Sequence, residues 1–215
     1  MRQKGDKREQ ERVAKLYVHE ENCYNNGSKL VAGVDEAGRG PLAGPVVASA
    51  VILPPLIFLP GLNDSKLVAE PKRTKLSREI AARAQSVGIG VVDAALIDKH
   101  NILEATRMAM KIAIKNLGVT PDFLLIDAVK LADVDIPQLN LIKGDQISAS
   151  IAAASIIAKV HRDKIMMDIH REFPQYGFNQ HKGYGTKAHL EALSRFGPCP
   201  YHRRSFAPVK DLPHG

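Results

Sequence analysis

Three short apolar segments of this sequence each run into a carboxylate. Leu30 to Val34 leads into Asp35 and Glu36, Phe123-Leu-Leu-Ile leads into Asp127, and Leu139-Asn-Leu-Ile-Lys-Gly leads into Asp145. A charge left at the boundary of a core is costly unless something pairs with it, so three such endings point to convergence on a cation. That cation is either a metal ion or Arg39, which follows at once in Gly38-Arg39-Gly40. Side chains alternate along a strand, so Asp35 and Glu36 serve one site only if the strand ends or twists there, and the glycines make such a turn plausible. Read alone, the stretch also suits an exposed Asp-Glu pair above a flexible loop.

Two further stretches carry chemistry suited to phosphates and bases. Ser65 and Lys66 offer a hydroxyl and an amine in a polar turn, where an ordinary solvated cap is the plainer role. Tyr184 stands between Gly183 and Gly185 amid His181, Lys182 and Lys187, which pairs a stacking surface with positive charge. Gly38-Arg-Gly40-Pro-Leu-Ala43 formally matches a dinucleotide fingerprint. That motif requires a helix after its glycines, and Pro45 to Leu53 reads as a strand, so the dinucleotide reading is discarded.

The elements that must position these residues follow from pattern. Leu30 to Val34 and Pro45 to Leu53 read as two buried strands joined by a tight turn, and Ser86 to Asp93 as a third. Phe123 to Asp127 and Leu139 to Asp145 complete the strands. Lys7 to Cys23 reads as one leading helix packed by Val13, Leu16 and Tyr17. Glu70 to Ala84 reads as a helix with Pro71 in its first turn. Ile97 to Leu117 is amphipathic, with Ile102, Ala105, Met108, Ala109 and Ile112 inward. Ile147 to Phe173 is a long helix whose small-residue first half suits close packing on a sheet. In its charged second half, Asp163 is expected to make an ordinary salt bridge, and His161 and His170 to lie at the surface. A last short helix runs from Lys187 to Phe196.

With 215 residues, 45% of them hydrophobic, the chain can bury a full core. Its net charge of +7 and pI near 9.4 favour a polyanionic partner, with nucleic acid foremost. Cys23 and Cys199 lie far apart and no zinc spacing occurs, which argues against a disulfide scaffold and a structural zinc site. There is no apolar signal region after the basic first residues and no stretch long enough to span a bilayer, so the expectation is a soluble, cytoplasmic protein.

Asp35-Glu-Ala-Gly-Arg-Gly-Pro-Leu-Ala-Gly44, Asp64-Ser-Lys66, Asn101-Ile-Leu-Glu-Ala-Thr106, Ile126-Asp127, Lys143-Gly-Asp145, Ala152-Ala-Ala-Ser-Ile-Ile-Ala-Lys159 and His181-Lys-Gly-Tyr-Gly-Thr186 occur in that order. With them, the sequence closely resembles bacterial ribonuclease HII, of the type 2 ribonuclease H family, from about Leu30 to Val209. The resemblance implies an α/β, ribonuclease H-like fold: a mixed five-stranded sheet flanked by helices, with a small C-terminal helical segment from about residue 172. Residues 1–28 would form a variable leading helix and linker, and 29–215 the catalytic domain.

It further implies cleavage of the RNA strand of RNA/DNA hybrids and incision at single ribonucleotides in duplex DNA. Hydrolysis would use two divalent ions, Mg2+ or Mn2+, and leave 5′-phosphate and 3′-hydroxyl ends. By resemblance Asp35, Glu36, Asp127 and Asp145 are the catalytic, metal-binding carboxylates, and Gly38, Arg39, Gly40 and Tyr184 read the junction between ribonucleotide and deoxyribonucleotide. Ser65, Lys66, Lys72, Lys143, Lys182 and Lys187 are candidate phosphate contacts. The expected partners are hybrid and ribonucleotide-containing duplexes, with no membrane, and the expected state is a monomer. Arg39 and the short N-terminus point away from the sister ribonuclease HIII, which usually has a lysine in this turn. Two rival classes remain: a module that binds hybrids without cutting them, and a ribonuclease H-like DNA nuclease or recombinase with the same acidic cluster.

Overall fold

The computed structural model describes residues 2–212, and the side-chain surroundings of residues 7–212. Five strands form one mixed sheet in the order β3-β2-β1-β4-β5: β1 (Val31–Ala37), β2 (Val46–Ile52), β3 (Ser86–Val92), β4 (Phe123–Asp127) and β5 (Gln138–Leu141). The first three are antiparallel, while β4 runs parallel to both β1 and β5. This is the mixed sheet expected from the resemblance.

Helices cover both faces because small residues let them lie close. On one face α6 (Ala149–Glu172) crosses β1, where a side-chain carbon on Gly33 would come within 2.0 Å of the Ser150 backbone. On the other, α4 (Ala94–Lys115) crosses β3, where carbons on Gly88 and Gly90 would come within 2.0 Å of the Ala113 and Ala109 carbonyls. Close contact therefore falls to the alanine row of α4, and Ile112, expected inward, is 38% exposed. Asn101, at φ 67°, also breaks the phase of α4, and its side chain caps the second half by accepting from the Leu103 and Glu104 amides.

The expected single leading helix is two, α1 (Arg2–Lys15) and α2 (Val18–Asn25), with the break at Leu16 and Tyr17. Those two residues and Val13 are buried against Leu53, Leu59, Leu62 and the alanines of α6. This packing explains the apolar loop from Pro54 to Gly61, whose Ile57 carbonyl accepts from the Tyr17 hydroxyl. Buried Glu20 of α2 accepts from the Ser148 hydroxyl at 2.6 Å and the Ser150 amide at 2.8 Å, so the leading segment caps the central helix. The helix α3 (Glu70–Arg83) forms where expected.

Beyond α6 the chain continues through a short helix α7 (Phe178–His181) and α8 (Lys187–Phe196), whose bounds match the sequence reading. Tyr176, Phe178, Leu193 and Cys199 pack there with Met166, Ile169, Leu42 and Ala43. The C-terminal segment thus shares a core with the turn between β1 and β2. No helix among the described residues is long and apolar enough to cross a membrane.

Candidate active site

Parallel pairing of β1 with β4 stops at Val34 and Ile126, one residue short of Asp35 and Asp127. The carboxylates therefore stand where two parallel strands part at their carboxyl ends, the place where open α/β sheets bind ligands. Asp35 and Glu36 do not end β1 as expected. The strand continues to Ala37, paired with Val47 of β2, and only its β4 partner is lost. Alternation sends Asp35 toward α6 and Glu36 toward α4, yet both sense the Asp127 charge, so the parting strands bring the two side chains around one edge.

Asp145 differs more from expectation. β5 ends at Leu141, and Asp145 lies on a short helix, α5 (Gly144–Ile147), entered through Lys143 in a left-handed conformation at φ 56°. The Asp127 carboxylate accepts from the Gly144 amide at 2.7 Å, which fastens this helix to the end of β4.

The electrostatics mark one cluster. Burial pushes Asp35 well above the usual carboxylate range, and the nearby Glu36 and Asp127 push it further. Burial likewise raises Glu36, against the opposing pull of Arg39, whose guanidinium lies 3.3 Å away. Asp145 is raised to about 6 by burial and by its neighbours Asp64 and Asp127. Lys66 is the matching cation: burial alone would lower it, but Asp64, Asp145, Asp35 and Asp127 outweigh burial and raise it. Asp64, read from sequence as part of a polar turn and of the Asp64-Ser-Lys66 motif but given no role of its own, is buried beside Asp145 and accepts from the Lys66 amide and the Gln146 side chain.

A cleft of about 590 Å³ opens over this cluster, lined by Glu36, Ala37, Gly38, Arg39, Gly40, Ser65, Lys66, Ile102, Asp127, Lys159 and Tyr184. Gly40 and Tyr184 are neighbours, since a side-chain carbon on Gly40 would sit 3.8 Å from the Tyr184 ring, and that ring is 45% exposed. The structure thus brings together the carboxylates, the glycine turn, Lys66 and Tyr184. Ser65 lines the cleft, but its hydroxyl accepts from Ser155. Lys143 is exposed outside the lining residues. Lys187 is 93% exposed at the start of α8.

Two lysine expectations are corrected. Lys182 is buried, with its amine bonded to the Asn179 carbonyl and near the Met167 sulfur, because its left-handed backbone turns the side chain inward. Lys72 lies away from the cleft, on the side of α3 that faces Gly61, Glu9 and Arg12. Asp163 takes its expected salt-bridge role with Lys159 at 2.6 Å and Arg73 at 3.4 Å.

Sequence reasoning missed two buried arginines that shape the turn. Arg162 donates to the carbonyls of Pro45, Lys182 and Ala43, and Arg203 to those of Gly38, Arg39 and Gly44. A side-chain carbon on Gly38, itself at φ 96°, would lie 2.1 Å from the Arg162 guanidinium. Burial lowers both guanidinium pKa values, to about 10 and about 9, so both stay charged at neutral pH. Arg162 had one available signal: it shares a helical face with Met166 and Ile169, both buried.

The Ribonuclease HII family pattern matches residues 32–209 of this chain. A relative of that name from Acetivibrio thermocellus is 54% identical over 199 residues, covering 93% of this chain and 78% of its own length. The crystal structure of ribonuclease H2 from Pyrococcus horikoshii OT3 superposes with a TM-score of 0.71 at 26% identity, over 85% of this chain and 96% of that one. Bst-RNase HIII, crystallised in complex with Mn2+, shares the fold with a TM-score of 0.67 at 21% identity, over 87% of this chain and 70% of that one.

Proposed function

Since the chain belongs to the ribonuclease HII family, we propose that it cuts the RNA strand of RNA/DNA hybrids and incises duplex DNA at single ribonucleotides, by two-metal-ion hydrolysis that leaves 5′-phosphate and 3′-hydroxyl ends. The observation that carries this reading is the buried, mutually repelling carboxylate cluster lying under a cleft whose rim holds both the glycine turn and Tyr184. Among the described residues no three His, Cys, Asp or Glu side chains form a ready-made metal cage. The donor set nevertheless fits a hard divalent ion: the carboxylates supply only oxygens, and one carboxylate oxygen of Glu36 is buried without a hydrogen-bond partner. Asp35, Glu36, Asp127 and Asp145 would hold the ions. Bound there, Mg2+ or Mn2+ would activate the attacking water and absorb charge on the departing oxygen.

The chain's own residues do the rest. Lys66, whose charge is favoured by four nearby carboxylates, presents a positive charge to the phosphate. Base pairing is the same around a lone ribonucleotide, so the signal must be its 2′-hydroxyl and the missing hydroxyl on the next sugar. Gly40 leaves the cleft wall bare, so backbone groups of the turn reach the 2′-hydroxyl. The Tyr184 ring lies flat on the adjoining deoxyribose, where an extra hydroxyl does not fit.

Purified protein with Mg2+ and three labelled duplexes tests the function: all-DNA, RNA/DNA, and DNA with one ribonucleotide. Products from the last two only are expected. Binding without products would favour a non-cutting module, and cleavage of all-DNA a recombinase-like nuclease. On the same substrates Tyr184→Ala should erode the preference for the lone ribonucleotide over the uniform hybrid, while Tyr184→Phe, which keeps the ring, retains most of it. An unchanged ratio in the alanine variant would remove Tyr184 from junction reading.

A further inference from the structure

Behind Tyr184 lies a chain of buried imidazoles whose direction is fixed at both ends by the backbone. At one end the Cys199 amide donates to Nδ1 of His202 at 3.0 Å. An amide can only donate, so Nδ1 of His202 accepts and its proton sits on Nε2. That Nε2 lies 3.0 Å from Nε2 of His189, which must therefore accept. The proton of His189 is left on Nδ1, which lies 2.9 Å from the carbonyl of Tyr184. A carbonyl can only accept, so the far end agrees with the near one.

We propose that His189 is a positioning residue for junction recognition: the one-way relay from the Cys199 amide through His202 and His189 to the Tyr184 carbonyl holds the Tyr184 ring in place over the cleft. The inference rests on Tyr184 reading the junction, as proposed above. The surroundings support a relay of neutral rings. His189 and His202 are 0% and 2% exposed. His181 of α7 stacks on His189 with centroids 4.5 Å apart, and its own Nδ1 accepts from the Gly183 amide. Phe178 packs edge-on to His189, and Tyr176 edge-on to His202. The charged or titratable groups that act on the pair are His181, Arg204 and each other, with the Cys199 thiol 3.1 Å from Nδ1 of His202. Burial lowers both imidazoles, His202 to about 4, so each is neutral at neutral pH. A second proton on His189 would set two N–H groups against each other across its 3.0 Å contact with His202, and one on His202 would do the same against the Cys199 amide, so either would break the relay.

The test compares three variants on the lone-ribonucleotide duplex and the uniform hybrid, together with nitrogen-15 NMR of the histidine rings in the parent protein. Expected spectra show the proton on Nδ1 of His189 and on Nε2 of His202. His189→Leu should lower kcat/KM on the lone ribonucleotide by about tenfold and on the hybrid by much less. His189→Asn, which keeps a donor near the Nδ1 position, should recover most of that loss. The double variant His189→Leu/Tyr184→Ala should be no worse than Tyr184→Ala, since both act through one ring. Reversed tautomers, equal loss on both substrates, or additive effects in the double variant would overturn the relay while leaving Tyr184 as the reader. Tyr184→Ala with an unchanged ratio would overturn both. The spectra decide the relay even if His189→Leu fails to fold.

Discussion

Asp127→Asn abolishes cleavage of the RNA/DNA hybrid in saturating Mg2+ and leaves the melting temperature at or above that of the parent. The two halves of this expected result have separate causes. Asp127 is the carboxylate that both Asp35 and Glu36 sense, so its charge is central to any cation held at the end of β1 and β4. Losing several kcal/mol of charge stabilisation, at about 1.4 kcal/mol per tenfold in rate, corresponds to about a thousandfold or more. The fold should survive because an asparagine carbonyl can still accept from the Gly144 amide, the hydrogen bond that ties Asp127 to α5. Removing a negative charge from a buried like-charged cluster also relieves Asp35. Asp35→Asn should lose activity in the same way. Near-normal turnover of either variant under saturating Mg2+, or a collapse of the fold, would show that these acids are structural partners and not the seat of a cation.

Arg203→Met should be the most damaging substitution outside the carboxylate cluster. The guanidinium is fully buried and bonds the carbonyls of Gly38, Arg39 and Gly44 at 2.5 to 3.0 Å. Methionine fills much of the volume and leaves these acceptors without donors, at about 1–3 kcal/mol for each one that stays buried. A stability loss of about 3 kcal/mol or more follows, read as a fall in the denaturation midpoint. The freed turn should also lower hybrid cleavage by about a hundredfold, since small misplacements of positioning groups have effects of that order. Arg39→Ala is the contrast. Its side chain is 45% exposed and pairs with Glu36 at 3.3 Å, so its stability change should stay below about 1 kcal/mol. If Arg203→Met melts and cuts like the parent, the turn is held by its own glycines and the buried arginine is redundant.

Much of the fold was legible because apolar runs and glycine punctuation follow the strand period closely. β4 and α8 match their sequence bounds, and the small-residue half of α6 was readable as a helix meant to lie close to a sheet. The errors have physical causes. Asp145 looked like the end of a strand because an apolar segment, Leu139 to Ile142, leads toward it, but the left-handed turn at Lys143 starts a helix instead. Ile112 looked inward because it is large and apolar, whereas the contact with β3 demands alanine. Lys182 looked exposed in the glycine-rich stretch around Tyr184, yet its own left-handed backbone turns its amine back onto Asn179.

The candidate site was legible in its carboxylates and only partly in what supports them. Acids that follow apolar runs announce themselves through the cost of burying charge. Arg162, Arg203 and the histidine relay serve backbone carbonyls and amides, and no residue pattern encodes which carbonyls a turn leaves without donors. Asp64 was hidden for a related reason: three residues of polar turn look alike whether or not a carboxylate from α5 stands beside them.

The buried bonds of Arg203 also impose an order of events on a chain made from its N-terminus. The carboxylates of β1 and β4 and the glycine turn leave the ribosome early, but the turn lacks its clamp until residue 203 has followed. Nascent chains would thus carry the acids while the Gly38-Arg39-Gly40 turn is still slack, and the turn would be fixed only once residue 203 is in place. A product truncated before residue 203 would therefore keep every carboxylate of the cluster while the carbonyls of Gly38, Arg39 and Gly44 lack the donor that fixes the turn.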